Sequence, residues 1–242
     1  MGNIHITYAR NNISYVSQEL AMDDYQTLLN FWDQAYAGHE SSDVTKAWED
    51  LIPSKKQLEA LRWLSDAKKI LDYGCGQGWG AIALTKCGAK DVQGVEVSEN
   101  AVASARALAA TYKSNARFEA IDLGWLKKCP EAFDGLFCSN VLDVIPLEAA
   151  KEVLEGFAHI VQTGGKVVIS LNFFMTPQDN PERHMTAKGR YLYVDGVLRL
   201  SCLTDDEWAQ CFHEWFDVEK LEHYAWPGEK AETRRLFYLK RK

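Results

Sequence analysis

Three acidic side chains and a run of alternate glycines are the residues of this sequence whose types and spacing can do chemistry. In ILDYGCGQGWG (residues 70–80) an apolar segment runs into Gly74, Gly76 and Gly78 and then into a helix-forming stretch. Glycines at such a turn let backbone N–H groups approach a ligand without side-chain interference. Asp72 stands two positions before the first glycine, and Glu96 lies 22 positions after it, near the end of VQGVEV (92–97). A carboxylate at that strand end sits beside the glycine turn and can accept both hydroxyl protons of a ribose. Asp122 follows ARFEA (116–120), where it can accept from the exocyclic amine of adenine. FDGLFC (133–138) ends in Ser139, Asn140, Val141, Leu142 and Asp143, which brings a fourth polar strand end to the same edge. Open α/β sheets bind ligands in the crevice outside such strand ends, so the set reads as a nucleoside site. The dinucleotide fingerprint wants its third glycine where Trp79 stands, which disfavours a nicotinamide-dependent oxidoreductase.

The elements that must position these residues follow from periodicity. Short apolar runs alternate with helical segments at 79–87, 100–112 and 147–161, ahead of a fifth strand KVVISL (166–171). Strands alternating with crossover helices imply a mostly parallel, Rossmann-like sheet covered on both faces. A helix at 205–215 then leads to FDVEKLEHY (216–224) and RRLFYLK (234–240), joined through Trp226-Pro227-Gly228 as an antiparallel edge hairpin. Upstream, Leu20, Tyr25, Leu28, Leu29, Trp32, Ala35 and Tyr36 form an amphipathic stripe over residues 19–38, and a second helix is expected over 53–66. Roughly 30 residues separate the fifth strand from the late helix, longer than a compact connection needs. Within them Asp195-Gly196 marks a two-residue β-hairpin between YLYV (191–194) and VLRL (197–200). One domain over 1–242 is expected, with a helical cap (1–66), a core (67–171 and 203–242) and an inserted flap (172–202) that serves as a substrate lid or an assembly contact.

Composition bounds the partners. The formal charge of -7 argues against a broad grip on phosphate backbones, and Lys127-Lys128, Arg234-Arg235 and Lys240-Arg241-Lys242 read as solvated ends of elements. Six scattered cysteines contain no Cys-x-x-Cys pair, so neither a disulfide framework nor a metal site is expected. No apolar run approaches the roughly 20 residues of a membrane span, and residues 1–12 carry no readable secretory signal, which makes a cytoplasmic location the default expectation.

With these residues in order, the sequence resembles the class I S-adenosylmethionine-dependent methyltransferases of the small methyltransferase-domain type. The resemblance covers residues 67–171, with the late helix and edge strands completing the seven-stranded sheet of that family. It implies that the loop holding Asp72, Gly74, Cys75, Gly76 and Gly78 binds the methionine part of the cofactor. Glu96, followed by Val97, takes the ribose, Asp122 with Leu123 frames the adenine, and Asn140 with Val141 lies beneath the sulfonium. Cys75 reads as a small loop residue rather than a nucleophile, and Trp79 as packing of the following helix. A sulfonium already activates the methyl group, so alignment in a dry pocket supplies most of the catalysis and a base is needed only for a protonated nucleophile. Candidates near the acceptor are Asp143, His184 as a base in the insertion, and Tyr36 in the cap. The Asn-Pro-Pro-Tyr type of motif is absent after the fourth strand, and Cys129-Pro130 reverses a Pro-Cys nucleophile, which demotes nucleobase chemistry. The reading is methyl transfer to the oxygen or nitrogen of a small molecule. A tRNA or protein methyltransferase and a cofactor-binding regulatory subunit without turnover are the alternatives.

Overall fold

A computed structural model of the chain describes residues 22–37, 47–130, 133–176, 178 and 184–242. The parallel core is β1 (Lys69–Tyr73), β2 (Asp91–Glu96), β3 (Arg117–Ala120), β4 (Phe133–Ser139) and β5 (Val161–Leu171). It is extended by β9 (Phe216–Tyr224) and β10 (Arg234–Arg241) into one seven-stranded sheet of order β3-β2-β1-β4-β5-β10-β9. β10 runs antiparallel to both β5 and β9, which is the expected edge hairpin. Because β2 pairs on one side of β1 and β4 on the other, the chain reverses its winding at β1, and the crevice opens between these strand ends.

Alternation along the strands divides the core. Ile70, Phe137 and Val168 point into a layer with α2 (Lys55–Leu64), α3 (Trp79–Lys86) and α4 (Glu99–Thr111), whereas Leu71, Leu136 and Val167 face α6 (Leu147–Ile160) and α7 (Asp205–Phe212). Both faces are therefore buried, as a parallel sheet requires. The helices start where short polar side chains satisfy free N–H groups: Ser54 caps α2, Ser98 caps α4, and Thr204 with Glu207 forms a capping box on α7. A one-turn helix α5 (Trp125–Lys128) follows β3.

The cap helix α1 spans Met22–Ala37; Leu20 and Gly38 of its expected reach lie outside the described residues. The Ser98 hydroxyl donates to Asp33 Oδ1 at 2.6 Å and Asn100 Nδ2 donates to Asp33 Oδ2 at 3.1 Å, so one side of α1 is tied to the start of α4. On the other side the Arg199 guanidinium lies 4.2 Å from the Phe31 ring centroid. Arg199 belongs to the insertion, which departs from the expected two-stranded hairpin. β6 (Met185–Lys188), β7 (Tyr191–Val194) and β8 (Val197–Ser201) form a three-stranded antiparallel sheet. The added strand, MTAK, has no apolar alternation to announce it, and its turn rests on Gly189 at φ 58°.

Arg234 and Arg235 correct the expectation of a solvated basic end, being 5% and 2% exposed. β10 lies inside the sheet, so its side chains meet protein on both faces. Arg234 pairs with Glu229 at 2.7 Å and donates to Asn172 Oδ1 at 2.8 Å. Arg235 donates to the Leu203 carbonyl at 2.8 Å and reaches within 3.8 Å of the fully buried Asp143 carboxylate. Asp143 Oδ2 also accepts the Asn172 backbone N–H at 2.6 Å, and the Asp143 carbonyl accepts from Ser201 N at 2.7 Å. Burial pushes the Asp143 carboxyl up to about 6, against the pull of Arg235 and the Asn172 donor. This knot fastens the insertion to the ends of β4, β5 and β10. Removing one partner leaves the other charge buried, so Arg235→Met is expected to lower unfolding free energy by about 3–5 kcal/mol in urea denaturation. The Arg235→Met/Asp143→Asn double variant should recover a substantial part of the loss. A single-variant loss below about 1 kcal/mol would show that the pair does not hold the insertion in place.

Candidate cofactor and acceptor site

The carboxyl ends of β1, β2, β4 and β5 open into one cavity of about 400 Å³ roofed by α1. That volume lies in the range of roughly 300–1,000 Å³ common to small-molecule sites. Its floor is the β1–α3 loop. Gly74 N and Cys75 N both donate to the Val95 carbonyl, at 2.9 and 3.0 Å, which fastens the loop to β2. Gly74 and Gly76 adopt φ of 66° and 51°, and a side chain at either would collide with its cover: Val141 Cγ2 at Gly74, and the Tyr36 hydroxyl 2.8 Å away at Gly76. The alternate glycines thus bring bare backbone against the cavity, a cradle that a Cβ would fill.

Asp72 lies beneath this loop, 2% exposed, with Oδ2 accepting the Ala81 N–H of α3 at 2.7 Å. Burial raises its carboxyl to about 7; the Ala81 donor opposes the rise and the nearby Glu96 charge adds to it. Glu96 closes the next wall, accepting from Gly76 N at 3.1 Å through Oε2 and from Val97 N at 2.8 Å through Oε1. Burial raises its pKa, opposed by those backbone donors and by Ser98 N. Tyr36 descends from α1 over Gly76, its hydroxyl pushed up to about 12 by burial and by the Glu96 charge, so at neutral pH it is a donor and not a base. Burial likewise lifts the Cys75 thiol, in keeping with a small, unreactive loop residue.

Past β4, Asn140 stands at φ 55°, an uncommon conformation for a residue with a side chain. Its Oδ1 and the Ser139 hydroxyl are buried with no hydrogen-bond partner among the described residues, and both residues line the cavity beside Val141. Such orphaned polar atoms are what a site missing its ligand presents. Beyond Val97, Ile121 and Leu123 the cavity continues into a shallow groove lined by Asp122, Gly124 and Lys128. Asp122 is exposed there; the Lys128 ammonium, 2.9 Å from Oδ2, holds its carboxyl below the usual range. Leu123 is 51% exposed, an apolar face at the mouth of the groove.

The structure thus brings together Asp72, Gly74, Cys75, Gly76, Glu96, Val97, Leu123, Asn140, Val141 and Tyr36 as cavity lining, with Asp122 in the adjoining groove. Gly78 stands behind the lining as the left-handed N-cap of α3. Asp143 is fully buried outside the cavity, and His184 is exposed on the insertion and does not line it. Trp79 packs edge-on against Phe137 at 5.5 Å, as expected, and also reaches the cavity. Sequence reasoning missed Tyr25, Leu28, Asn172 and Trp226 as lining residues. The first two stand in the recognised α1 stripe with Trp32. Asn172 and Trp226 reach the site through the pairing of β5, β10 and β9, which leaves no local signal.

Residues 70–165 match the family model described as a methyltransferase domain. The ribosomal protein L11 methyltransferase of Paraburkholderia phytofirmans is 28% identical over 171 residues, covering 69% of this chain and 45% of that protein. The ubiquinone biosynthesis O-methyltransferase of Neisseria meningitidis is 27% identical over 166 residues, 67% of this chain and 64% of its own length. The chain therefore spans about half the length of these curated relatives. The structure of Burkholderia thailandensis 1,6-didemethyltoxoflavin-N1-methyltransferase, with bound 1,6-didemethyltoxoflavin and S-adenosylhomocysteine, shares the fold at a TM-score of 0.66. It is 21% identical, over 91% of this chain and 89% of that one. The family match over residues 70–165 and the shared fold are those of class I S-adenosylmethionine-dependent methyltransferases. S-adenosylmethionine is the cofactor of that class. No helix among the described residues is long and apolar enough to cross a membrane.

The Asp72 carboxyl gives a pH test of the floor. Its folded pKa of about 7 exceeds the ordinary 3.8, so its contribution to stability is fully present below about pH 4 and is lost as pH rises through about 7. Unfolding free energy measured by urea denaturation should therefore fall between about pH 5 and pH 8 more steeply in the native protein than in Asp72→Asn, whose amide oxygen can still accept from Ala81. Equal slopes in the two proteins would mean that Asp72 is not buried as described.

Proposed function

We propose that this protein transfers the methyl group of S-adenosylmethionine to an oxygen or nitrogen of a small-molecule acceptor. The observation that carries the reading is the enclosed cavity, whose floor is the glycine loop and whose roof is α1, pinned by Asp33 on one side and by Arg199 on the other. When bound, S-adenosylmethionine supplies an electrophilic methyl group on a sulfonium. The chain's own residues bind, orient and keep water away. Asp72 and the backbone of Gly74 and Gly76 face the methionine part, where an ammonium would favour the ionised Asp72. Glu96 exchanges its contact with Gly76 N for the ribose hydroxyls, and Asp122 with Leu123 and Val97 frames the adenine. Ser139 and Asn140, whose oxygens have no partner among the described residues, and Val141 lie beside the reacting centre. Excluding water from such a chamber strengthens every electrostatic interaction inside it.

Methylation of a protein or tRNA is the second reading, and the relative named for ribosomal protein L11 is what favours it. The roof weighs against it, since a polypeptide or a folded nucleic acid must reach the methyl group past α1 and the insertion. A cytoplasmic protein acting on a diffusible substrate fits the net charge of -7. The two readings separate by incubating the protein with methyl-labelled S-adenosylmethionine and a cell extract. Label in an acid-soluble product distinct from S-adenosylmethionine supports the small-molecule acceptor, label in precipitable protein or RNA contradicts it, and cofactor binding without label transfer identifies a regulatory subunit.

Glu96 is the sharpest test of the cofactor assignment. Glu96→Ala removes a charged acceptor from the ribose and is expected to weaken S-adenosylhomocysteine binding by about 1.5–3 kcal/mol in calorimetry. An unchanged dissociation constant in a folded Glu96→Ala protein would remove the ribose role.

A further inference from the structure

The part of the cavity that a nucleoside cofactor leaves over is aromatic and carries no cation. Tyr25, Trp32 and Tyr36 project from one face of α1, the last two with ring centroids 6.5 Å apart, and Trp226 closes the side beyond Asn172. Among the described residues no lysine, arginine or histidine lines the cavity, and the ionisable groups that do are Asp72, Glu96, Cys75, Tyr25, Tyr36 and Tyr73. Arg199 stacks on Trp32 with its guanidinium 5.4 Å from the ring, yet is not part of the lining.

These facts sort acceptor chemistries. A carboxylate or phosphate acceptor would meet no cationic side chain in the described lining, Arg234 lying behind Trp226 and Asn172, which costs its hydration without return. An alkylamine, protonated at neutral pH, must first lose a proton, and a phenol must do the same. In the proposed cofactor pose Asp72 faces the ammonium and Glu96 the ribose, the lining tyrosines have their hydroxyls held above the ordinary range by burial, and Asp143 and His184 stand outside the cavity, so no described base is left for either. A neutral pyridine-type ring nitrogen needs none, because its in-plane lone pair is free at neutral pH.

We infer that the acceptor is an uncharged, planar heteroaromatic molecule methylated on a ring nitrogen while it lies against the aromatic face of α1. This inference rests on the methyltransferase reading. In the transfer the nitrogen lone pair forms the new N–C bond as the S–C bond breaks, and the electrons of that bond stay on sulfur. The positive charge passes from the sulfonium to the ring, no proton moves, and the net charge of the chamber is unchanged. The developing ring cation meets the faces of Trp32, Tyr36 and Tyr25, cation–π interactions that grow along the reaction and so favour the transition state. The oxygens of Ser139 and Asn140, which have no hydrogen-bond partner among the described residues, offer in-plane hydrogen bonds that hold one edge of the ring system.

The test uses three probes on the protein saturated with S-adenosylhomocysteine: quinoline, its 4-carboxylate, and catechol. Calorimetry is expected to show quinoline binding at least about tenfold more tightly than the carboxylate. With S-adenosylmethionine in place of the product, mass spectrometry should find N-methylquinolinium and no methylated catechol. Trp32→Leu, with Tyr25→Leu as a second variant of the same wall, should weaken quinoline binding about fivefold or more while S-adenosylhomocysteine affinity stays within about twofold. Tighter binding of the carboxylate, methylation of catechol alone, or no binding of quinoline to the loaded protein would overturn the inference and leave the cofactor site standing. Failure of S-adenosylhomocysteine itself to bind would instead overturn the methyltransferase reading.

Discussion

A carboxylate buried beneath a glycine loop is the constraint on which the site depends. Asp72 lies at the end of β1, and its hydrogen bond to Ala81 N spans the whole turn from strand to helix. That bond fixes where α3 begins, so the backbone between must turn tightly, which the positive φ values at Gly74, Gly76 and Gly78 accomplish. Bare backbone in turn lets Val141 and Tyr36 close to within contact of the loop. Desolvation disfavours the charge on Asp72, and a cationic ligand group above the loop would restore it. The same interaction that shapes the cradle thus biases it towards a cation.

Two other polar ties set the roof. Ser98, the N-cap of α4, has a second duty in donating to Asp33, so the helix that follows Glu96 also positions the cap. At the far side Asp143 collects the end of β5, the last strand of the insertion and Arg235 of β10. Its position after β4 suggested contact with an acceptor, and the geometry gives it a holding task behind the wall instead. An acid with three neighbours to satisfy it in a dry interior belongs to the scaffold that makes a chamber rigid, and rigidity is what alignment of two reactants needs.

What was legible in the sequence was local. Asp72, the alternate glycines and Glu96 lie within one strand-turn-helix-strand unit, so their spacing alone brings them together. The winding of the sheet was legible from alternation and from the absence of any long connection before Leu171. The insertion's first strand was not, because MTAK is largely exposed and its pairing with β7 is encoded by the turn at Gly189. Nor were the buried arginines legible. A basic pair near a chain end reads as solvated until β10 is seen to lie between β5 and β9, with Arg234 62 positions from Asn172 and Arg235 92 positions from Asp143 (235 − 143). Contacts of that separation leave no periodicity behind.

The most direct measurement of the central claim, that the crevice beneath α1 holds the nucleoside cofactor, is amide hydrogen exchange with and without S-adenosylhomocysteine. Exchange should slow together in the glycine loop at 74–79, after β2 at 96–98, in the groove at 121–124 and in α1, because these segments form the floor, walls and roof of one cavity. Protection confined to other parts of the sheet, or no change in these four segments at saturating ligand, would contradict the account.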